Sequence, residues 1–96
     1  MAHGYVIGQM QITDPEQYER YRAEVLATVE AHGGEFLVRG GAQDVKEGTP
    51  PGPRSVILRF PSVEAAQGWY ASPEYQQIVP LRLTASSGAL TIVEGV

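Results

Sequence analysis

The sequence predicts an α+β fold: a ferredoxin-like β-α-β-β-α-β sandwich, with a four-stranded antiparallel sheet that carries its helices on one face and pairs with a second copy of itself. Three observations predict it. Segments of period two and period 3.6 succeed one another in that order, proline-bearing caps open the helices, and the strands have one uniformly apolar face and one mixed face. All 96 residues read as a single domain, residues 1–96, without linker, repeat or low-complexity stretch.

Residues 5–12, YVIGQMQI, alternate so that Val6, Met10 and Ile12 share one side and Tyr5, Ile7, Gln9 and Gln11 the other, the pattern of a strand. Asp14-Pro15-Glu16-Gln17 follows with a capping acid, a proline at the first helical position and a glutamine three residues after the cap. The helix it opens places Tyr18, Tyr21, Val25 and Val29 on one face and ends at Gly33-Gly34, where glycine accepts the left-handed conformation. Residues 35–40, EFLVRG, form a second strand with Phe36 and Val38 on one side and Leu37 and Arg39 on the other, and Gly40-Gly41 has the look of a bulge. The three prolines of Gly48-Thr49-Pro50-Pro51-Gly52-Pro53 lack amide donors, so this segment is a hairpin loop into residues 54–60, RSVILRF. Ser62 caps a helix carrying Val63, Ala66, Trp69 and Tyr70. Ser72-Pro73-Glu74 restarts a helical segment to about Val79, with Pro80 interrupting it. Residues 89–94, ALTIVE, are the last strand.

Both crossovers must pack on one face of the sheet, supplied by Val6, Met10, Ile12, Phe36, Val38, Val56, Leu58, Phe60, Leu90 and Ile92. The other face carries Tyr5, Ile7, Leu37, Ile57 and Val93 among Gln9, Gln11, Arg39, Arg59 and Thr91, too apolar for an open solvated sheet. A second copy, sheet to sheet, is the simplest cover, giving a two-fold dimer whose combined strands approximate a barrel.

A net charge of −4 and a pI of about 5.0 argue against a nucleic-acid partner. No apolar run approaches the roughly 18 residues of a membrane helix, and no signal peptide precedes Tyr5. The absence of cysteine removes disulfides, thiolate metal sites and cysteine nucleophiles and fits a reducing compartment, so the expected location is the cytoplasm.

The stretches HGGEFLVRGG at 32–41, VKEG at 45–48 and FPSVEAAQGWYASPEYQ at 60–76 resemble DUF1330, a family without an assigned reaction in the dimeric α+β barrel superfamily. The resemblance runs from the Asp14-Pro15 helix start to the closing VEG at 93–95 and implies the same dimer. The superfamily includes cofactor-free monooxygenases, isomerases and lyases, haem-handling members and ligand sensors, so the resemblance implies no single chemistry.

Among candidate site residues, Arg39 and Arg59 fall at equivalent positions of neighbouring strands, where a planar guanidinium suits a carboxylate or enolate. The structural alternative is an ion pair with Glu47, Glu94 or a partner subunit. Trp69, Tyr70 and Tyr75 bring three rings to the joint between two helical segments, and Arg82 follows Pro80. Together they can frame a pocket, with Tyr70 or Tyr75 as donor or weak acid, or simply pack. His32 sits where an imidazolium favours a helix C-terminus and can bond a free carbonyl; His32 and Glu47 are the remaining catalytic candidates, alongside Tyr70 and Tyr75. Two distant histidines without clustered carboxylates make no metal site, no glycine pattern fits a phosphate loop, and no cofactor is implied.

The expected function is a small soluble homodimer that binds a small anionic or oxygenated organic molecule in a sheet/helix cleft, with cofactor-free acid/base or oxygen chemistry within its reach. The ligand-binding set is Arg39, Arg59, Trp69, Tyr70, Tyr75 and Arg82. The rival is a non-catalytic ligand sensor or structural dimer, whose inward arginines would serve only to pair subunits. Haem handling would need an axial ligand that His32 is poorly placed to supply.

Overall fold

The computed structural model describes residues 2–96. In chain order the elements are β1 (Gly4–Ile12), α1 (Pro15–Ala31), β2 (Glu35–Arg39), β3 (Arg54–Phe60), α2 (Val63–Ala71), α3 (Pro73–Ala85) and β4 (Ser86–Glu94). The strands form one antiparallel sheet in the order β2-β3-β1-β4, the ferredoxin-like arrangement. Helices cover one face only. The principal extents of 32 × 32 × 16 Å leave room for two layers and no third, so the far face of the sheet is open.

Local chemistry sets the helix limits. The Asp14 side chain accepts from the Gln17 amide at 3.2 Å, and Pro15 supplies the first helical residue. At the other end Gly33, at φ 78°, lets its amide reach the Glu30 carbonyl and that of Gly34 reach Val29, closing a Schellman motif. Ser62 and Ser72 cap α2 and α3 through their hydroxyls. Helix α3 does not stop at Pro80 but runs on to Ala85. The carbonyl that Pro80 leaves without its amide belongs to Gln76, an exposed residue where solvent can stand in for the missing bond, and the break expected there does not occur.

The core lies between sheet and helices, with Val6, Val29, Phe60, Trp69 and Tyr75 essentially inaccessible. All the residues expected on the helix-facing side of the sheet belong to this core or pack on it, except Val38. The reason is a β-bulge. Phe36 pairs with Leu58, but the next pairs are Val38 with Ile57 and Arg39 with Val56. The extra residue, Leu37, advances β2 by one position, and a one-residue slip moves each following side chain to the opposite face. Val38 therefore joins Ile57 on the open face, and Arg39 joins Val56 beneath the helices. The bulge expected at Gly40-Gly41 lies here instead.

Candidate functional site

Between the sheet and α1 lies a cavity of about 20 Å3, enough for one water-sized group and far below the volume that encloses a drug-sized ligand. Its apolar walls come from Val6, Met10, Val56, Leu58 and Leu90 on the strands and Val25 on α1. Its polar lining is arginine and tyrosine: Arg22, Arg39, Arg54, Arg82, Tyr18 and Tyr21, with Trp69 beside them.

Each arginine arrives from a different element. The bulge turns Arg39 under the helices, where its Nη2 donates to the Arg22 carbonyl at 2.9 Å and its guanidinium lies 4.3 Å from the Phe36 ring centroid. Arg54 shares the parity of Val56, Leu58 and Phe60, and its Nε donates to the Tyr18 hydroxyl at 3.2 Å. Gly40, at φ 77°, leaves the space this guanidinium occupies, because a Cβ there would collide with Arg54 Nη1. Arg82, only 7% exposed, donates from Nε to the Tyr75 hydroxyl at 3.3 Å.

Among the described residues, Arg39, Arg54 and Arg82 make no ion pair; of the lining arginines Arg22 pairs with Glu19, and the remaining pairs lie elsewhere, Asp44 with Lys46, Glu35 with Arg59 and Glu74 with His32. The crowding has electrostatic consequences. Burial, and then the charges of Arg22 and Arg54, hold the Arg39 guanidinium below its ordinary pKa. Burial works against the charge of Arg82 as well, but Tyr75, Tyr21 and Tyr70 together offset it and hold that group above its ordinary value. In a chain of net charge −4, four guanidinium-bearing residues thus gather around a cavity whose lining includes no carboxylate.

Behind it stands an aromatic wall. The Tyr21 and Tyr75 hydroxyls are 2.9 Å apart, the Trp69 and Tyr75 ring centroids 4.1 Å apart, and the Trp69 indole donates to Thr28 Oγ1 at 3.0 Å. Burial, followed by the neighbouring Tyr75, keeps the Tyr21 hydroxyl protonated far above the normal tyrosine range.

The residues singled out from the sequence are thus dispersed. Arg39, Arg82 and Trp69 meet at the cavity, and Tyr75 supports it from behind, while Tyr70 stacks on Tyr75 with ring centroids 5.5 Å apart, outside the lining. Arg59 is not equivalent to Arg39: it lies on the open sheet face opposite Tyr5 and pairs with Glu35, the cross-strand neighbour, rather than with Glu47 or Glu94. His32 bonds no free carbonyl; its Nε2 lies 2.9 Å from the Glu74 carboxylate at the start of α3, away from the cavity. Glu47 lies in the β2–β3 loop, which borders a separate open groove of about 870 Å3 on the far face with Gln9, Val38 and Ile57. Sequence reasoning missed Arg54, although its parity with Val56 was legible, and it took Tyr18 and Tyr21 for packing alone.

Among the described residues no group of three or more His, Cys, Asp or Glu side chains is placed to hold a metal ion, and no helix is long and apolar enough to cross a membrane.

A four-stranded ferredoxin-like sheet with helices on one face defines the class, an α+β sandwich. Within it the chain belongs to the family described as Domain of unknown function (DUF1330), whose pattern matches residues 3–96. Its fold is similar to that of RPA0582, a protein of unknown function from Rhodopseudomonas palustris, with a TM-score of 0.81, 18% identity, and coverage of 99% of this chain and 83% of that one. It is also similar to SnoaB, a cofactor-independent oxygenase from Streptomyces nogalater, with a TM-score of 0.65, 11% identity, and coverage of 97% and 92%. A third similar structure is a putative antibiotic biosynthesis monooxygenase from Caulobacter crescentus, with a TM-score of 0.61, 18% identity, and coverage of 97% and 87%. These likenesses are of fold. No protein of curated function matches the chain in sequence.

Proposed function

We propose that the protein is a small cytoplasmic homodimer that binds a small anionic or oxygenated organic molecule at the cavity between sheet and helices. One observation carries this reading: Arg39, Arg54 and Arg82 reach one cavity from three elements, with no carboxylate among its lining residues. Buried and half-buried arginines whose role is structural are ordinarily paired, and an unpaired set is costly unless an anion completes it. Arg39 and Arg54 are half-buried and Arg82 is buried, with Trp69 as a wall. The volume admits one water-sized group, such as a single ligand oxygen, so the rest of the ligand lies at the rim, where Arg22 is half-exposed.

The same lining favours binding over turnover. It contains no carboxylate or imidazole to serve as general base, and of the four catalytic candidates His32, Glu47 and Tyr70 lie off the cavity while Tyr75 is fully buried behind it. A non-catalytic ligand-sensing dimer is therefore the preferred form of the proposal. The fold shared with a cofactor-independent oxygenase supports, at the level of fold alone, chemistry without a cofactor as the second form.

The dimer is inferred from the open sheet face, where Ile7 is 38%, Val93 41% and Leu37 47% exposed around the partly buried Ile57. The β2 bulge adds Val38 to this apolar surface. Native mass spectrometry of the purified protein tests both parts. A dimer carrying a reproducible small acidic adduct, lost in Arg39→Ala, is the expected result; a monomer, or ligand affinity indifferent to Arg39→Ala, would sink the corresponding part. A charge at Ile7 or Ile57 should give a monomer in sedimentation, and an unchanged dimer would mean that another face pairs.

A further inference from the structure

The hydroxyl directions in the cavity wall follow from simple accounting. Arginine only donates, so Tyr75 Oη accepts from Arg82 Nε, and the only acceptor within reach of the Tyr75 proton is Tyr21 Oη, 2.9 Å away. Tyr75 is 0% exposed and has no solvent to turn to. With Tyr75 as donor the spare proton falls on Tyr21, whereas with Tyr21 as donor it would be stranded on the inaccessible Tyr75, so the first arrangement is favoured. Tyr21 lines the cavity. The same argument holds for Tyr18: its hydroxyl accepts from Arg54 Nε and makes no other protein hydrogen bond, and Tyr18 lines the same cavity. Tyr18 and Tyr21 are three residues apart on α1 with ring centroids 5.6 Å apart, on one helix face.

We infer that Tyr18 and Tyr21 are two ligand-contacting donors, each strengthened by an arginine behind it, and that the ligand presents to them a carboxylate head with no donor of its own. The inference rests on the anion-binding reading and specifies it: the guanidiniums demand negative charge, whereas the two stranded phenol protons demand acceptor oxygens. Charge-assisted relays of this kind polarise the terminal O–H, so each phenol is a better donor than an isolated tyrosine. The space of about 20 Å3 takes one water-sized group, so one carboxylate oxygen enters it and the second lies at the rim.

The single tryptophan, Trp69, lines the cavity and supplies the readout. Its fluorescence is titrated with formate, acetate and benzoate, and with benzamide as the neutral control, on the wild type and on Tyr18→Phe, Tyr21→Phe, Tyr75→Phe and Arg54→Ala. Saturable binding of at least one acid is expected, with benzamide weaker. Tyr18→Phe and Tyr21→Phe should each lose about tenfold in affinity, the scale of a hydrogen bond to a charged group. Tyr75→Phe breaks the same Tyr21–Tyr75 bond but leaves the Tyr21 donor, so its loss should be smaller; a merely structural bond would make the two variants equal. If the acids bind and Arg54→Ala weakens them while both α1 variants bind normally, the donor assignment falls and the anion site stands. If no acid binds, both fall. Should Tyr21→Phe fail to fold, 2,3-difluorotyrosine in place of Tyr21 keeps the size and sharpens the donor; affinity for acetate should then rise, and an unchanged affinity overturns the assignment.

Discussion

Replacing Arg82 with methionine should make the ligand-free protein more stable. Arg82 is 7% exposed and makes one hydrogen bond, from Nε to Tyr75 at 3.3 Å, with no carboxylate to compensate its charge. A hydrogen bond from a charged donor contributes about 1.5–3 kcal/mol, and at 3.3 Å this one falls at the lower end. Against it stands the cost of keeping an ion without a carboxylate partner out of water, several kcal/mol after relaxation; the Coulomb attraction of the neighbouring phenols, which raises the Arg82 pKa, acts only where phenols are ionised, far above neutral pH. Methionine fills the same elongated space with apolar atoms, and Tyr75 keeps its bond to Tyr21. The balance favours Arg82→Met by about 1–3 kcal/mol. Unfolding entropy of about 2.1 cal/mol/K per residue makes this a rise of about 5–15 °C in Tm for a chain of 96 residues. The assay is differential scanning calorimetry in a buffer free of phosphate and carboxylates, repeated with acetate. Acid at a hundred times its Kd should raise the wild-type stability by about 2.7 kcal/mol and leave the variant nearly unmoved. A variant less stable than the wild type by 1 kcal/mol or more would refute the reasoning, because Arg82 would then be a satisfied structural residue and the cavity would lack no anion.

Two further outcomes follow from the geometry. Gly40→Ala adds a Cβ against Arg54 Nη1 at a backbone of φ 77°, so it should displace that guanidinium. Acetate affinity should fall by about tenfold and stability by about 1 kcal/mol, read by titration and calorimetry together; intact affinity would mean that Arg54 does not contact the ligand. Glu74 is held below the ordinary carboxylate range by the His32 hydrogen bond first and by its own backbone amide second. A depressed carboxyl contributes stability that is present above its unfolded pKa, about 4.3, and lost as pH falls through the depressed folded value. The Tm gap between wild type and Glu74→Gln should therefore be open at pH 6 and close on acidification below about pH 4; a gap independent of pH would place the effect in packing rather than charge.

The helix boundaries and the split strand-helix order were legible because capping is local: Asp14, Ser62 and Ser72 act on amides three residues away, and Gly33 on its own φ. The apolar face of β1 and β3 was legible for the same kind of reason, since period-two alternation holds as long as the ladder is unbroken. Arg54 was readable by the same rule, since it opens the strand and shares the parity of Val56 and Leu58. Pro80 misled because the cost of a proline inside a helix depends on whether water reaches the carbonyl four residues earlier, which burial decides.

What the sequence determined by itself is therefore the fold and its family, through signals that act within a few residues. What only the tertiary structure decided is the site. One extra residue at Leu37, absorbed in the pairing of β2 with β3, moved Arg39 from the open face into the cavity and Val38 out of it, and no periodicity within β2 records a register set by another strand. The donor chains behind the cavity join Arg54 to Tyr18, 36 residues apart, and Tyr75 to Tyr21, 54 residues apart. Hydrogen bonds across such separations exist only once sheet and helices have packed, so the directions of those protons, and with them the chemistry the cavity requires, belong to the folded molecule.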